Sequence, residues 1–341
     1  MKKPVAALAL ASAAVLALAG CTAATSAAED SGSGIVQVVA STSVYGSLAE
    51  QIGGERVDVT SIITSASQDP HSYEASARDR LAVQKADLVI ENGGGYDGFI
   101  DDLLEGADPA VLTAVKFSHD FPGNKGHEAE EKADAAEGEA HEKGHGEGHG
   151  KQVGHEKHDH EDHGHVEGFN EHVWFDPHTM IHVVEGIAVE LSDLDPDGKA
   201  DFTAAADDIV AELEGFEVDL ETLKTDAAGA SVFLTEPLPG YLAAAAGLTD
   251  VTPEGFAEAV EEGSDVAPAT VLAALAAIDN GEVRAVLTNA QTGGAETQRV
   301  EEAADAAGIP VVAFTELFEE GSSYSEWMRA AIQSLADALR S

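Results

Sequence analysis

The chain has 341 residues and is strongly acidic, with 63 Asp and Glu residues against 18 Lys and Arg and a formal net charge of −45 at pH 7. A field of this sign repels nucleic acid and anionic membrane surfaces and attracts cations, so nucleic acid is excluded as a partner. The length excludes a single small domain and is sufficient for two domains of typical size.

The N-terminus has the pattern of a bacterial lipoprotein signal peptide. Lys2 and Lys3 precede an apolar run that is too short for a permanent membrane span, and small residues then lead to Cys21, the only cysteine. The pattern predicts a signal peptide over residues 1–20, lipid attachment at the Cys21 thiol, and an extracytoplasmic protein held at the cell membrane by that lipid. An ordinary secretory peptide with a chance cysteine is the alternative. Residues 21–34 predict a small polar tether.

After the tether, short β-branched runs alternate with helical patterns, which is typical of βαβ units and mostly parallel sheets. Two blocks of this kind occur. The predicted strands of the first block are 35–40, 57–63, 87–91, 111–115 and 173–175. The predicted strands of the second block are 231–235, 284–288 and 311–314.

Between the two blocks, apolar residues recur near helical spacing from residue 199 to about 226, with acidic residues elsewhere, which predicts one long helix. We therefore predict an α/β fold with two lobes of mostly parallel sheet. The N-terminal lobe spans 35–198, the linking helix 199–227 and the C-terminal lobe 228–341. Because open α/β sheets bind ligands beyond the carboxyl ends of their strands, the site is expected there.

The segment 126–168 is rich in histidine, acidic residues and glycine, and contains almost nothing that could enter a core. Such a composition predicts a disordered, solvated loop, and neutral imidazole suits Zn, Cu and Ni, so we expect weak accessory metal binding. A disordered acidic tether with incidental histidines is the alternative. The loop histidines are His127, His141, His145, His149, His155, His158, His160, His163 and His165.

Two further histidines lie at predicted strand ends. His71 stands in an extended Asp-Pro-His turn after the second predicted strand, ahead of a helix with the capping pattern of Ser76 and Asp79. His172 precedes the predicted strand 173–175, which continues into an Asp-Pro helix start. Each could be an exposed loop or boundary histidine if it stood alone.

His178 and His182 lie four residues apart on the helix predicted to start after this Asp-Pro pair, a spacing that can chelate a metal. No third ligand is evident beside them in the sequence.

The chain resembles the zinc- and manganese-binding solute receptors of bacterial ABC transporters, the cluster A-I metal-binding lipoproteins. The resemblance covers nearly all of the mature chain. It implies two α/β lobes joined by a long rigid helix, with the metal held in the cleft between them. The segments that carry it are SVYGSLA at 43–49, IGGERV at 52–57, DPHSYE at 69–74, ADLV at 86–89 with the glycines that follow, and HVWFDP at 172–177.

The resemblance also implies four metal ligands. His71 and His172 match the first two positions of the family. Glu236 stands where zinc members usually carry histidine and where manganese members use glutamate, and Glu316 stands where an Asp usually follows a Phe-Thr pair. Two neutral imidazoles and two carboxylates would neutralise a divalent cation in a site closed to water.

The function that this resemblance implies is capture of Zn(II) outside the cytoplasm and delivery to an ABC permease for import, by a monomer that is not an enzyme. A receptor for Mn(II) or Fe(II) is the alternative within the family, because carboxylates are harder ligands than imidazole. A surface metal buffer or adhesin is an alternative of another class. A zinc hydrolase is disfavoured, since the sequence has neither a His-Glu-x-x-His helix nor a Gly-x-Ser-x-Gly elbow.

Excision of residues 126–168 is expected to leave one tight metal ion per chain and to eliminate several weaker ones. The loop offers many imidazoles and no scaffold that would preorganise them. Zinc stoichiometry, measured by titration of the excised and parent proteins, checks this expectation. Loss of the tight ion together with the loop would mean that the loop itself is the primary site.

Overall fold

Two parallel four-stranded sheets organise the chain, as the alternation of strand and helix patterns predicts. The structure is a computed structural model that describes residues 34–122, 124, 166, 168–319 and 321–340. Ile35–Ser341 forms one compact unit, and of the unit Met1–Gly34 only Gly34 is described. The predicted signal peptide, the predicted lipidation site Cys21 and the nine loop histidines lie outside the described residues.

The first sheet has the strand order β2-β1-β3-β4, and all of its strands are parallel. Val39 of β1 pairs with residues of both β2 and β3, so β1 is internal. Almost every side chain of β1 is buried, as expected for a parallel strand covered on both faces. The strands are β1 (Val36–Thr42), β2 (Val57–Ile63), β3 (Leu88–Glu91) and β4 (Ala110–Thr113).

The second sheet repeats this arrangement with the order β6-β5-β7-β8. Its edge strand β6 has two residues and was not predicted. In both sheets the second strand in chain order pairs with one side of the first strand, and the third strand pairs with its other side. A topological switch point therefore lies between β1 and β3 and between β5 and β7. The strands are β5 (Ser231–Leu234), β6 (Thr249–Asp250), β7 (Val283–Asn289) and β8 (Val311–Phe314).

One predicted strand is wrong: Val173–Phe175 is a 3-10 helix. The backbone N–H of Phe175 donates to the carbonyl of His172, and that of Asp176 donates to the carbonyl of Val173. All three apolar side chains are buried. A short apolar run does not distinguish a strand from a buried helical turn, and this turn leads directly into the helix that begins at Pro177.

The remaining described elements are helices that cover the two sheets. The capping box predicted from Ser76 and Asp79 is confirmed at the start of the second helix. The helices are α1 (Ser43–Gly53), α2 (Ala77–Val83), α3 (Phe99–Leu104), α4 (Pro177–Leu194), α5 (Lys199–Asp226), α6 (Gly240–Ala245), α7 (Ala257–Glu261), α8 (Pro268–Asp279), α9 (Ala295–Ala307) and α10 (Tyr324–Arg340).

The long helix α5 connects the two halves of the molecule. It packs on α1 and α4, which follow strands of the first sheet, and on α6 and α10, which belong to the second. Its buried stripe includes Phe202, Leu213 and Phe216, and one apolar core runs through side chains from both sheets. The helix was predicted over nearly these bounds, while the limits of the two lobes remain a prediction.

Within the described ranges, no helix combines the length and the apolar character needed to cross a membrane.

Candidate metal site

His71 is held in a short turn that follows β2. Its residues form the 3-10 helix Pro70–Ser72, with Asp69 as the cap. The Asp69 carboxylate accepts hydrogen bonds from the backbone N–H of His71 at 3.0 Å and from the Ser72 hydroxyl at 2.7 Å. Proline fixes the backbone angle at the first helical position, so the turn presents His71 from a constrained loop.

His172 approaches the same place from the residue before the 3-10 helix, and it is 1% exposed. Its Nδ1 lies 2.7 Å from Asn170 Oδ1, which also accepts the backbone N–H of His172. The Asn170 amide nitrogen donates to the carbonyl of Pro237, which sets the orientation of that amide. Since the amide oxygen can only accept, Nδ1 of His172 carries the proton, and Nε2 is the nitrogen with a lone pair that could bind a metal.

The structure brings a third candidate ligand, Glu261, to these histidines, which the sequence did not reveal. Glu261, the last residue of α7, lies with its Oε1 3.3 Å from His172 Nε2. One ligand atom from each of His71, His172 and Glu261 lies within 4.8 Å of the other two. Oε1 of Glu261 is buried, and no donor among the described residues hydrogen-bonds to it. A buried carboxylate oxygen without a hydrogen-bond donor is suited to bind a cation.

Glu236 and Glu316, the other two predicted ligands, border this group but do not belong to it. Glu236 follows β5 and Glu316 follows β8, and both are buried. The Asn289 amide nitrogen donates to Glu236 Oε2 at 2.8 Å and to Glu316 Oε1 at 2.9 Å. Their remaining oxygens accept from the hydroxyls of Thr292 at 2.5 Å and Tyr96 at 3.0 Å. Protein donors therefore hold both carboxyl groups in place.

The pKa values of these acids are raised by burial. Burial, followed by the charges of Glu171, Glu236 and Glu316, raises the pKa of Glu261 to about 9. Burial raises the pKa of Glu316 to about 7 against the hydrogen bonds from Asn289 and Tyr96. Burial also raises the pKa of Glu236. The acids repel one another in a medium that screens poorly, and a divalent cation would supply the missing opposite charge.

An aromatic wall supports the two histidines. The Tyr96 ring lies edge-on to His71 with centroids 5.0 Å apart, and 6.0 Å from the ring of His172. Trp174 packs against Tyr96 at 4.6 Å and against His172 at 5.1 Å. Both aromatic residues are almost completely buried, so they restrict the rotamers of the histidines and exclude water.

His178 and His182 lie elsewhere, on the exposed side of α4, and neither belongs to the three-ligand group. Glu261, Asn289 and Tyr96 were missed because nothing local distinguishes them. Glu261 is one of 63 acidic residues. For Asn289 the signal was its position, because it ends β7 beside the switch point of the second sheet, where ligands commonly bind.

Comparison with known proteins identifies the family. The family model described as "Zinc-uptake complex component A periplasmic" matches residues 38–338. The chain belongs to this family. The resemblance to the zinc- and manganese-binding receptors is thereby confirmed, and so is the α/β fold of two parallel sheets.

Similar curated proteins bind either metal. The chain is 26% identical over 195 residues to the zinc-binding protein AdcA of Streptococcus pyogenes, covering 57% of this chain and 35% of AdcA. It is also 26% identical over 203 residues to the manganese-binding lipoprotein MntA of Halalkalibacterium halodurans, covering 59% of this chain and 54% of MntA. The match thus spans about a third of the length of AdcA and about half that of MntA.

Among solved structures, the periplasmic zinc-binding protein TroA from Treponema pallidum is similar with a TM-score of 0.65 and 16% identity, over 89% of this chain and 99% of TroA. At this level of identity the likeness shows a shared fold.

Replacement of Asn289 by leucine is expected to destabilise the metal-free protein by about 1–3 kcal/mol, because two buried carboxyl groups lose their common donor. Urea unfolding in the presence of a chelator measures the change. Thr292→Val, which removes one donor from Glu236 alone, is the matched control and should cost less. A leucine variant as stable as the parent would show that the amide does not hold the two acids.

Proposed function

We propose that this chain is an extracytoplasmic receptor that binds one Zn(II) ion between its two sheets and delivers it to an ABC permease. The observation that carries the proposal is the group of His71, His172 and Glu261, in which two imidazoles and one carboxylate converge from both halves of the described chain. The zinc-uptake family to which the chain belongs supports the same ion.

The donor set suits zinc. Tetrahedral zinc binds nitrogen and oxygen at roughly 2.0–2.2 Å, which places neighbouring ligand atoms about 3.4 Å apart. His172 Nε2 and Glu261 Oε1 are already 3.3 Å apart. The ligand nitrogen of His71 lies within 4.8 Å of the ligand atoms of His172 and Glu261, so only a small movement brings it to the same spacing. We assign the fourth position to Glu236 or Glu316, after its carboxyl group exchanges a protein donor for the ion.

Manganese is the second candidate, because Glu236, Glu316 and Glu261 together offer a harder, oxygen-rich environment. The manganese-binding relative MntA supports this alternative. Zinc is favoured because both imidazoles belong to the tight group, whereas Glu236 and Glu316 are occupied by hydrogen bonds from Asn289.

Delivery is favoured over storage or catalysis. The cleft group, which is built from both halves of the described chain, suits the binding and transfer of one ion. We assign no enzymatic activity, in keeping with the transport character of the family. The remaining parts of the proposal rest on the sequence: a lipid anchor at Cys21, attachment to the cell membrane, a monomeric receptor and a membrane permease as partner.

Alanine at His71 or His172 is expected to abolish the tight site, weakening Zn(II) binding by more than the roughly 10–100-fold that loss of an outer-shell partner causes. Glu261→Gln keeps the shape but not the charge, and it should weaken binding by at least the roughly 10–100-fold of an outer-shell loss. Titration of the full mature chain in chelator-buffered zinc isolates the tight site, because weak sites stay empty at low free metal.

His119→Ala is the control for these variants, because His119 is exposed and its Nε2 lies 3.5 Å from Asp120 Oδ2. Its zinc affinity should equal that of the parent. If Glu261→Gln binds zinc as tightly as the parent while both histidine variants fail, Glu261 is not a ligand. If all three variants retain the tight ion, the proposed site is wrong.

Glu236→His is expected to shift the preference towards Zn(II) over Mn(II), because a hard oxygen is exchanged for a borderline nitrogen. A shift of about tenfold in the ratio of affinities corresponds to about 1.4 kcal/mol. Direct competition between the two metals measures it, and Glu236→Ala should weaken both. Unchanged binding of both metals in both variants would remove Glu236 from the site.

A further inference from the structure

The exposed side of α4 carries a second pair of histidines outside the cleft. His178 and His182 are four residues apart, and their ring centroids lie 5.1 Å from each other at an interplanar angle of 85°. Their side chains are 47% and 35% exposed. On a helix, side chains at this spacing lie one above the other on the same face, so two imidazoles can bind one ion.

Each ring is oriented by a carboxylate through the same atom. His178 Nδ1 lies 3.2 Å from Glu217 Oε1, which reaches across from α5, and His182 Nδ1 lies 3.3 Å from Glu185 Oε2 on α4 itself. When Nδ1 carries the proton to a carboxylate, Nε2 becomes the metal-binding atom and the ring gains basicity. Metal-ligating histidines commonly have this outer partner.

We propose that His178 and His182 form a second metal-binding site, in which their Nε2 atoms bind one borderline divalent cation, Zn(II), Ni(II) or Cu(II). Imidazole prefers these ions to Mg(II) and Ca(II). Within the described residues, only the cleft has three ligand atoms within 4.8 Å of one another, so water completes the coordination on the helix. The site is therefore weaker than the cleft and exchanges its ion with solvent more readily.

The site is separate from the cleft ligands and does not depend on the proposed function. An ion at this position would bind to α4, the helix that begins two residues after Phe175.

Diethyl pyrocarbonate footprinting of the full mature chain with peptide mass spectrometry tests the proposal, because it reports each histidine separately. Chelator-buffered Zn(II) is raised stepwise. His178 and His182 should become protected together, with one midpoint that lies at least tenfold above the concentration that fills the cleft. His119 is the matched control, since it has a carboxylate neighbour at 3.5 Å, and no histidine stands four residues away on either side.

Three variants make the test specific. His182→Gln should move the midpoint of His178 at least tenfold higher, because the chelate is lost. Glu217→Gln and Glu185→Gln should each raise the common midpoint several-fold while both histidines remain reactive without metal. Mg(II) in place of Zn(II) should protect neither ring.

Protection of His178 and His182 only at the zinc concentration that also protects His119 would overturn the proposal. An unchanged His178 midpoint in His182→Gln would do the same, since it would show two independent rings. If the cleft variants described above retained the tight ion, this result would be unaffected, because the cleft and the helix pair are measured at different residues.

Discussion

The rest of the structure depends on a cluster of acidic side chains at the cleft, and no Lys or Arg is buried in the part of the chain that the structure describes. Glu171, Glu236, Glu261 and Glu316 lie close enough that the charges of the other three raise the pKa of Glu261. A fold can retain such a cluster only where hydrogen bonds or a cation compensate it. Asn289 compensates two of the acids, and Glu261 faces the histidines. A bound divalent cation would balance the acid charge that these hydrogen bonds do not compensate.

The two sheets place this environment by the same rule. In each sheet an asparagine stands at the carboxyl end of the strand next to the switch point. Asn92 directly follows β3, and Asn289 is the last residue of β7. The Asn92 amide donates to the carbonyl of Glu171 at 3.0 Å, while the Asn289 amide donates to the acids of the second half. Both amides organise the loops that carry ligands, so equivalent positions of a repeated topology support the site from opposite sides.

Much of this arrangement could be predicted from the sequence. Strand runs, the long helix and the positions of His71 and His172 have local signals, namely β-branched runs, helical spacing and Asp-Pro turns. Glu261 has none, because its distance to His172 arises from the packing of the two halves. The run 173–175 was misassigned as a strand because burial on all sides removes the periodicity that distinguishes the two structures.

The apolar core shared by both sheets through α5 has a consequence for folding. Neither half can separate without exposing the faces of α1 and α4 on one side and of α10 on the other. The second half also has a smaller core of its own around Phe233 and Phe256. Unfolding should therefore be cooperative across both halves, and a fragment that ends before Lys199 would leave its sheet-covering helices exposed to aggregation. The side chains proposed to bind the ion therefore stand on a frame whose two halves share one apolar core.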